Sequence, residues 1–428
     1  MTEVKNVLVI PAGTEIALEI NNALRCSKFV KLFGATSVPC HAEFVYENCV
    51  SDIPFPESPD FAEKVNEIVE RFGIDYIYPA HDSVLLALTQ QQNKLKAKVV
   101  TSAKETVEIT RSKNRTYEFL KGAFYLPVIY KNAEEVKTFP IFIKPAVGQG
   151  SVGAKRIDSR EALTEALSDG VEYAICEYLP GDEFTVDCFT DKNGVLRFIS
   201  PRSRARIRAG ISVRSEKKVC DDGIRAIAED INSRFSFTGA WFFQVKRNAR
   251  GEYRLLEIAP RIAGTMSVTR NLGVNMPMLT LFTLWGYDVD IIDNGNEILL
   301  DRAFISRFKT DIEYSNVYVD FDDTMVIRGE VNGFLMMFLY QAHDKGKKLY
   351  LLTKHAKDIY ESLEKYAISA KLFEKIIHIP PDGEKYEYIR PDSIFIDDSF
   401  GERVKIHKKC GIPVFDMDMA ESLIDWRV

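Results

Sequence analysis

The sequence predicts a chain of mixed α/β and α+β class, with an α/β domain at each end and an α+β domain between them. Alternation of strand-like and helix-like segments before residue 100 and after residue 315 predicts the two α/β domains. Hairpin-forming turn sequences between strand-like runs predict the α+β middle. The expected domains are therefore residues 1–100, 101–308 and 315–428.

The first domain begins with a predicted parallel strand at residues 6–10, followed by helical periodicity over residues 15–25. A second strand is predicted at residues 75–79, with a helix from Ser83 onward. Gly13 stands alone in the first strand-to-helix turn, without a GxGxxG pattern, so a plain turn is favoured over a dinucleotide site.

The middle domain contains a strand lysine followed by a glycine-rich loop. Lys144 directly follows the apolar residues 141–143 of a predicted strand, and the loop contains Gly148, Gly150, Ser151 and Gly153. Glycines let backbone N–H groups approach phosphate oxygens, and a lysine adds a positive charge. The pattern predicts a phosphate-binding loop, with an ordinary glycine-rich hairpin as the alternative.

Two hairpins are predicted from the turn sequences at residues 191–194 and 248–252. The second turn would set Gln244 opposite Glu257, with Cβ atoms about 4.5–5.5 Å apart. An amide oxygen and a carboxylate in that arrangement can share Mg²⁺. Ordinary cross-strand polar neighbours are the alternative on spacing alone.

Taken in order, these motifs resemble the ATP-grasp superfamily, in particular its carbamoyl-phosphate synthetase and biotin carboxylase branch, over roughly residues 1–300. The resemblance implies a pre-ATP-grasp α/β domain and an ATP-grasp domain whose lid covers about residues 125–180. It also implies ATP and Mg²⁺ as cofactors. The implied reaction joins a small-molecule carboxylate to an amine through an acyl phosphate.

The same resemblance implies roles for individual residues. Ala259 departs from the family pattern, because relatives usually carry a metal-binding Asn at that position, so one ligand is missing. The implied site consists of Lys113 and Lys144 at the ATP phosphates, the 148–153 loop as a closing lid, Glu177 and Leu179 in the adenine hinge, Glu183 at the ribose, Gln244 and Glu257 at magnesium, and Arg261 at the substrate anion.

Arginines occur at every second position from residue 202 to residue 208. In an extended segment, all four side chains would face one way and repel each other. A bound anion would relieve that repulsion, so Arg204 and Arg206 are predicted to bind an anionic substrate, with a phosphorylated one as an option. A solvated, charged edge strand is the alternative.

The third domain is predicted to bring carboxylates to the ends of parallel strands. Residues 317–319 predict a buried strand that ends at Asp320, and two later strands also end in polar residues. The carboxyl ends of parallel strands share one edge of a sheet, and carboxylates gathered there are costly without a cation. The residues expected together at that edge are Asp320, Asp322, Thr353, Lys385, Asp397 and Asp398.

This pattern resembles the haloacid dehalogenase (HAD) superfamily over residues 315–428, with all four of its motifs present. The resemblance implies a Rossmannoid HAD-like domain that hydrolyses phosphomonoesters with magnesium. Asp320 would be the nucleophile, and Asp322 the general acid and then the base. Thr353 and Lys385 would hold the phosphoryl oxygens. The implied magnesium ligands are Asp320, Asp322, Asp397 and Asp398.

The spacing of these motifs leaves room for only a minimal cap. One predicted helix separates Asp320 from Thr353, so the ATP-grasp region or a macromolecule is expected to cover the site. The leading interpretation is a bifunctional ligase and phosphatase, whose two activities share one pathway in either order. The alternative is an active phosphatase with a degenerate ATP-grasp module that only binds nucleotide or substrate, as Ala259 suggests.

Composition excludes some classes of partner. A net charge of −6 gives no electrostatic case for binding nucleic acid or an anionic membrane, and no apolar segment is long enough to span a bilayer. Seven cysteines without CxxC pairs predict reduced thiols, and with no signal-peptide pattern they predict a cytoplasmic protein. The ATP-grasp resemblance leaves a homodimer as an open option.

Overall fold

The computed structural model describes residues 3–208 and 210–427 and divides into two compact units. Unit 1 ends at Phe304, and unit 2 begins at Ile305. Over the described residues, no helix is both long enough and apolar enough to cross a lipid bilayer. All seven cysteines are free thiols, as predicted.

Unit 1 opens with alternating strands and helices. The strands are β1 (Lys5–Ile10), β2 (Val30–Ala35), β3 (Asn48–Val50), β4 (Tyr76–Pro79) and β5 (Lys98–Val99), and the helices are α1 (Glu15–Leu24), α2 (Phe61–Phe72) and α3 (Asp82–Gln90). The strands form a parallel sheet in the order β3-β2-β1-β4-β5. Thr14 caps α1 by accepting a hydrogen bond from the Ala17 backbone N–H, which is a local structural role for the turn around Gly13.

The first sheet shares a hydrophobic core with later parts of unit 1. Val7 and Val9 of β1 belong to the same buried cluster as Phe242 and Leu281. Periodicity in a sequence reveals which side of a helix or strand is apolar, but it does not reveal which other element packs against that side. The boundary expected at residue 100 therefore marks a change of sheet and not a break in the core.

The rest of unit 1 is α+β, as predicted. Its helices are α4 (Lys104–Thr110), α5 (Lys113–Phe119), α6 (Arg160–Ala166), α7 (Asp222–Arg234), α8 (Ser267–Asn271) and α9 (Met276–Leu284). Its strands are β6 (Ile129–Tyr130), β7 (Ile141–Pro145), β8 (Lys155–Ile157), β9 (Tyr173–Glu177), β10 (Glu183–Thr190), β11 (Leu196–Ser203), β12 (Arg206–Arg208), β13 (Ile211–Glu216), β14 (Gly239–Arg247), β15 (Tyr253–Ala259) and β16 (Leu299–Asp301).

These strands form three antiparallel sheets. Strands β6-β9-β7-β8 make one sheet within the segment predicted as a lid. Strands β11-β10-β14-β15 make the second, in which both predicted hairpins occur, and β12-β13-β16 make the third.

The prediction that four arginines share one face is wrong. Arg202 lies in β11, is 2% exposed, and donates two hydrogen bonds to the buried carboxylate of Asp187 at 2.8 and 3.0 Å. Arg206 and Arg208 lie in β12, which belongs to a different sheet, and Arg206 pairs with Asp301 at 2.7 Å. The alternation in sequence does not reveal that the chain changes sheets within the series.

Unit 2 is a second parallel α/β fold. Its strands are β17 (Asn316–Val319), β18 (Val326–Ile327), β19 (Glu330–Val331), β20 (Lys348–Thr353), β21 (Lys375–His378), β22 (Ser393–Ile396) and β23 (Val414–Phe415), and its helices are α10 (Gly333–Asp344), α11 (Ile359–Lys365) and α12 (Phe400–Cys410). The parallel sheet has the order β21-β20-β17-β22-β23. Asn332 caps α10 by accepting a hydrogen bond from the Leu335 backbone N–H, and the short β18–β19 hairpin precedes it.

Candidate active sites

A cleft in unit 1 brings most of the predicted nucleotide-site residues together. The predicted residues that line it are Lys113, Lys144, Gly148, Gly150, Ser151, Glu177, Leu179, Glu183, Arg204, Gln244 and Glu257. Tyr178, which lies between the two predicted hinge residues Glu177 and Leu179, also lines it.

Gly153 does not line the cleft, but its backbone conformation brings the end of the glycine-rich loop close to Pro145. Its φ is +75°, and a Cβ atom there would lie 2.9 Å from Cγ of Pro145. Gly150 and Ser151 also have positive φ, at +58° and +57°. The loop therefore takes the left-handed backbone conformation at three positions, which glycine adopts without strain at residues 150 and 153 and which costs free energy at Ser151.

Two contacts position the side chain of Lys144, and burial affects both lysines of the cleft. Lys144 donates a 2.8 Å hydrogen bond to the Leu256 carbonyl, and its ammonium lies 5.3 Å from the centre of the Tyr117 ring. Burial lowers the pKa of Lys144 and also that of Lys113, against the opposing charge of Glu257. Buried cations without a full set of acceptors favour an anionic ligand.

The predicted pairing of Gln244 and Glu257 is confirmed. The two residues are direct partners across the β14–β15 pair, and a register irregularity follows immediately after Gln244. Both line the cleft. Their oxygen atoms can therefore serve one divalent cation, which is consistent with the oxygen ligands that Mg²⁺ takes.

Arg204 does not present a free charge to the cleft. Its Nε atom lies 2.6 Å from Oε1 of Glu183, and its Nη2 donates to the Gly210 carbonyl at 3.2 Å. A Cβ atom on Gly210 would lie 1.8 Å from the Gly150 carbonyl oxygen, so the backbones of the two loops touch there. An anion at Arg204 would have to compete with Glu183.

Arg261 lies in an adjoining pocket that shares Lys113 and Glu257 with the cleft. It donates two hydrogen bonds to Asp82, at 2.6 and 2.7 Å. Burial alone would raise the pKa of Asp82, but Arg261 outweighs that effect and lowers the pKa to about 2. Ala259 lines the same pocket and offers no side-chain oxygen.

In unit 2, a buried lysine joins two carboxylates at the ends of neighbouring strands. Asp320 follows β17, and Asp397 follows β22. Nζ of Lys385 donates to Oδ1 of Asp320 at 2.8 Å and to Oδ2 of Asp397 at 2.6 Å. Thr353, which is fully buried, ends β20 on the other side of β17. The predicted meeting of these residues at one sheet edge is confirmed.

Three carboxylates in unit 2 fit a divalent cation. Asp320, Asp397 and Asp398 each offer an oxygen, and these oxygens lie within 4.8 Å of one another. Burial raises the pKa of Asp397 to about 6, with Asp320 adding to the shift and Lys385 opposing it. Burial likewise raises the pKa of Asp320, against Lys385. Burial is the main cause of both shifts, and a cation bound between these carboxylates would offset the cost of burying their charge.

The side chain of Asp322 lies apart from these three carboxylates. Its two carboxylate oxygens lie 2.9 and 2.8 Å from Nδ1 of His355. Its predicted place among magnesium-binding side chains is therefore not what the structure shows. His355 was not singled out from the sequence, although its position two residues after Thr353 puts it on the loop that leaves the same strand.

We expect magnesium binding in unit 2 to weaken as the pH falls through about 6. Below that pH Asp397 is protonated, and a protonated carboxyl no longer serves as an anionic ligand. One competing proton lowers the apparent affinity about tenfold per pH unit. Magnesium titrations by calorimetry at pH 5, 6 and 7.5 would measure this, and an affinity that is constant over that range would contradict the prediction.

Comparison with known proteins supports a relationship for unit 1. Residues 171–318 match a family model described as ATP-grasp in the biosynthetic pathway with Ter operon. The chain is 27% identical over 184 residues to D-alanine–D-alanine ligase of Clostridium perfringens, covering 41% of this chain and 57% of that protein. It is 23% identical over 247 residues to the arginine-specific carbamoyl phosphate synthase large chain of Bacillus subtilis, covering 53% and 24% respectively.

Solved structures resemble the chain at low sequence identity. The biotin carboxylase domain of 2-oxoglutarate carboxylase from Hydrogenobacter thermophilus has a TM-score of 0.57 and 15% identity, and the match covers 69% of this chain and 72% of that one. N5-carboxyaminoimidazole synthetase from Staphylococcus aureus has a TM-score of 0.57 and 13% identity, with 68% and 79% covered. The chain has an ATP-grasp fold.

The match covers only part of the length of each curated relative. The chain spans 57%, 24% and 25% of the lengths of the three curated relatives it matches. The Hydrogenobacter structure is a dimer in complex with MgADP, ADP and bicarbonate, and the Staphylococcus structure is complexed with ADP. Both of these solved structures thus contain a nucleotide, and the Hydrogenobacter structure also contains magnesium.

Proposed function

We propose that the chain is a bifunctional enzyme, with an ATP-dependent carboxylate–amine ligase in unit 1 and a magnesium-dependent phosphomonoesterase of HAD type in unit 2. Two relatives, D-alanine–D-alanine ligase from Clostridium perfringens and an L-amino acid ligase from Bacillus licheniformis, support a carboxylate and an amine as the ligase substrates. The observation that carries the ligase proposal is Gln244 opposite Glu257 in the cleft that also contains Lys144.

In the ligase reaction, the substrate carboxylate attacks the γ-phosphorus of ATP, giving an acyl phosphate and ADP. An amine then attacks the acyl carbon, so that the C–N bond forms and phosphate leaves. Lys113 and Lys144 would bind the phosphates, and the 148–153 loop would exclude water. Magnesium held by Gln244 and Glu257 would neutralise phosphate charge. The adjoining pocket, which contains Arg261 and shares Lys113 with the cleft, would take the carboxylate.

The test of the ligase is ADP formation that depends on an added acid and amine. The unaltered chain with MgATP would be assayed against pooled L- and D-amino acids and short carboxylic acids, in pairs. We expect at least one pool to raise ADP formation above the rate with MgATP alone. If MgADP binds but no pool raises the rate, unit 1 is a binding module, which is the alternative that Ala259 favours.

Glu257→Gln should lower substrate-dependent ADP formation about 10²-fold, since a neutral amide replaces the charged metal ligand. The pairing register with Gln244 is unaffected by this isosteric change. Glu252→Gln is the matched control, because Glu252 lies in the turn of the same hairpin and pairs with Arg254 outside the cleft. Equal activities for the two variants in a coupled ADP assay would exclude Glu257 as a metal ligand.

In the phosphatase reaction, Asp320 attacks the phosphorus of a phosphate ester, and the bond to the leaving oxygen breaks. Asp322 gives that oxygen its proton, then accepts a proton from the water that releases phosphate from Asp320. Lys385 and Thr353 would hold the phosphoryl oxygens. Magnesium held by Asp320, Asp397 and Asp398 would offset the repulsion between phosphate and carboxylate. The buried group of Asp320, Lys385 and Asp397 carries this proposal.

The test of the phosphatase is magnesium-dependent hydrolysis of p-nitrophenyl phosphate by the full chain. We expect turnover that disappears with a chelator and returns with added magnesium. A shared pathway further requires hydrolysis of a phosphate ester derived from a ligase substrate or product. Absence of turnover with every ester would leave unit 2 without the proposed activity.

A further inference from the structure

The loop after β20 contains a histidine whose ring is fixed at both nitrogens. Nδ1 of His355 lies 2.9 and 2.8 Å from the two carboxylate oxygens of Asp322. Nε2 lies 2.8 Å from Oγ of Ser362, which is a buried residue of α11. The ring packs edge-on against Phe321, with centroids 4.9 Å apart. The imidazole is thus held between a helix and the Asp320–Thr324 loop.

The two partners differ in how freely they can move. The His355 side chain is 11% exposed, whereas that of Asp322 is 54% exposed. An exposed carboxylate samples several rotamers, and a general acid must face one oxygen of the substrate. An ionised carboxylate only accepts hydrogen bonds, so Nδ1 donates. A fixed donor aimed at a mobile acid restricts that acid to one orientation.

We propose that His355 is a positioning residue that holds the carboxyl group of Asp322 in the orientation needed to protonate the leaving oxygen. The inference rests on the proposed phosphatase function. His355 does not touch the phosphoryl group in this role, and the proton still comes from Asp322. One carboxyl oxygen accepts from Nδ1, while the other delivers the proton to the oxygen whose bond to phosphorus breaks.

A purely structural role for the contact between His355 and Asp322 would give a different dependence of activity on the substrate. If the contact between His355 and Asp322 served only to stabilise the fold, its loss would lower the activity toward all substrates alike. A positioned general acid matters most for leaving groups that are poor without protonation. The parameter kcat/KM includes only steps up to cleavage of the ester bond, so it reports on the acid role and not on the later water attack.

The experiment compares aryl phosphates in the full chain with magnesium, using p-nitrophenyl, phenyl and p-methoxyphenyl phosphate. We expect His355→Ala to lower kcat/KM for the two poorer leaving groups about tenfold more than for p-nitrophenyl phosphate. His355→Asn, which keeps a donor near the position of Nδ1, should recover part of that loss. His343→Ala is the matched control, since His343 is an exposed residue of α10 that pairs with Asp344.

Two further results separate the possible outcomes. In an Asp322→Asn background, His355→Ala should cause no additional loss for phenyl phosphate, because the acid it orients is gone. Should His355→Ala fail to fold, Ser362→Ala removes the other anchor of the ring and should give the same dependence on the leaving group. An equal loss for all three esters, or additive losses with Asp322→Asn, would overturn the inference. No hydrolysis of any ester by the unaltered chain would instead overturn the phosphatase proposal, and the role of His355 with it.

Discussion

Asp320→Asn is expected to abolish phosphate ester hydrolysis, with a loss on the order of 10³-fold or more, because an amide cannot replace a carboxylate nucleophile. The change also removes one of the two carboxylates that Lys385 joins, at 2.8 Å from Asp320 and 2.6 Å from Asp397. The fold should survive, since the amide oxygen can still accept from Lys385. The measurement is the steady-state rate with p-nitrophenyl phosphate.

Asp323→Asn is the matched control for that variant. Asp323 lies in the same loop, is exposed, and has a positive φ of +51°, a conformation that asparagine also adopts readily. It is not part of the carboxylate group that fits a metal. We expect its rate to stay within about twofold of the unaltered chain. If both variants lost hydrolysis rate to a similar extent, the loss would reflect a disturbed loop, and the result would not support Asp320 as the nucleophile.

Arg202→Ala should destabilise unit 1 by about 3–5 kcal/mol, because it leaves the fully buried Asp187 carboxylate without its partner. Arg202 also donates to Oγ1 of Thr265, and Thr269 donates to Asp187 at 2.9 Å, so the loss disrupts a small buried network. The measurement is the urea midpoint followed by tryptophan fluorescence.

Arg206→Ala is the control from the same arginine series. Arg206 is 55% exposed and pairs with the exposed Asp301, so its loss should cost about 0–1 kcal/mol. The double change Arg202→Met with Asp187→Leu should recover most of the stability, because apolar replacements leave no unpaired charge. A loss below about 1 kcal/mol for Arg202→Ala would contradict the assigned structural role.

The sequence predicts local pairing well where one turn sets the register. The turn at residues 248–252 places Gln244 against Glu257, and the structure has that pairing. The strands that end at Asp320 and Thr353 were likewise predictable, because buried parallel strands appear as short apolar runs. The meeting of Lys385 with Asp320 and Asp397 follows from the motif order but not from any local pattern.

Contacts between distant residues could not be predicted in this way. Arg261 pairs with Asp82, which lies 179 residues earlier, and no periodicity links the two. Arg202 and Arg206 belong to the same alternating series in sequence, yet Arg202 is buried in β11, whereas Arg206 is exposed in β12 of a different sheet. His355 and Asp322 are 33 residues apart, and their contact depends on the paths of two loops.

The proposed enzyme carries out two chemistries in one chain, each on its own set of residues. The most direct test measures substrate-dependent ADP formation and magnesium-dependent p-nitrophenyl phosphate hydrolysis in parallel for Glu257→Gln and Asp320→Asn. We expect Glu257→Gln to lose ADP formation while keeping hydrolysis, and Asp320→Asn to lose hydrolysis while keeping ADP formation. Loss of both activities in either correctly folded variant, or the absence of either activity from the unaltered chain, would contradict the claim.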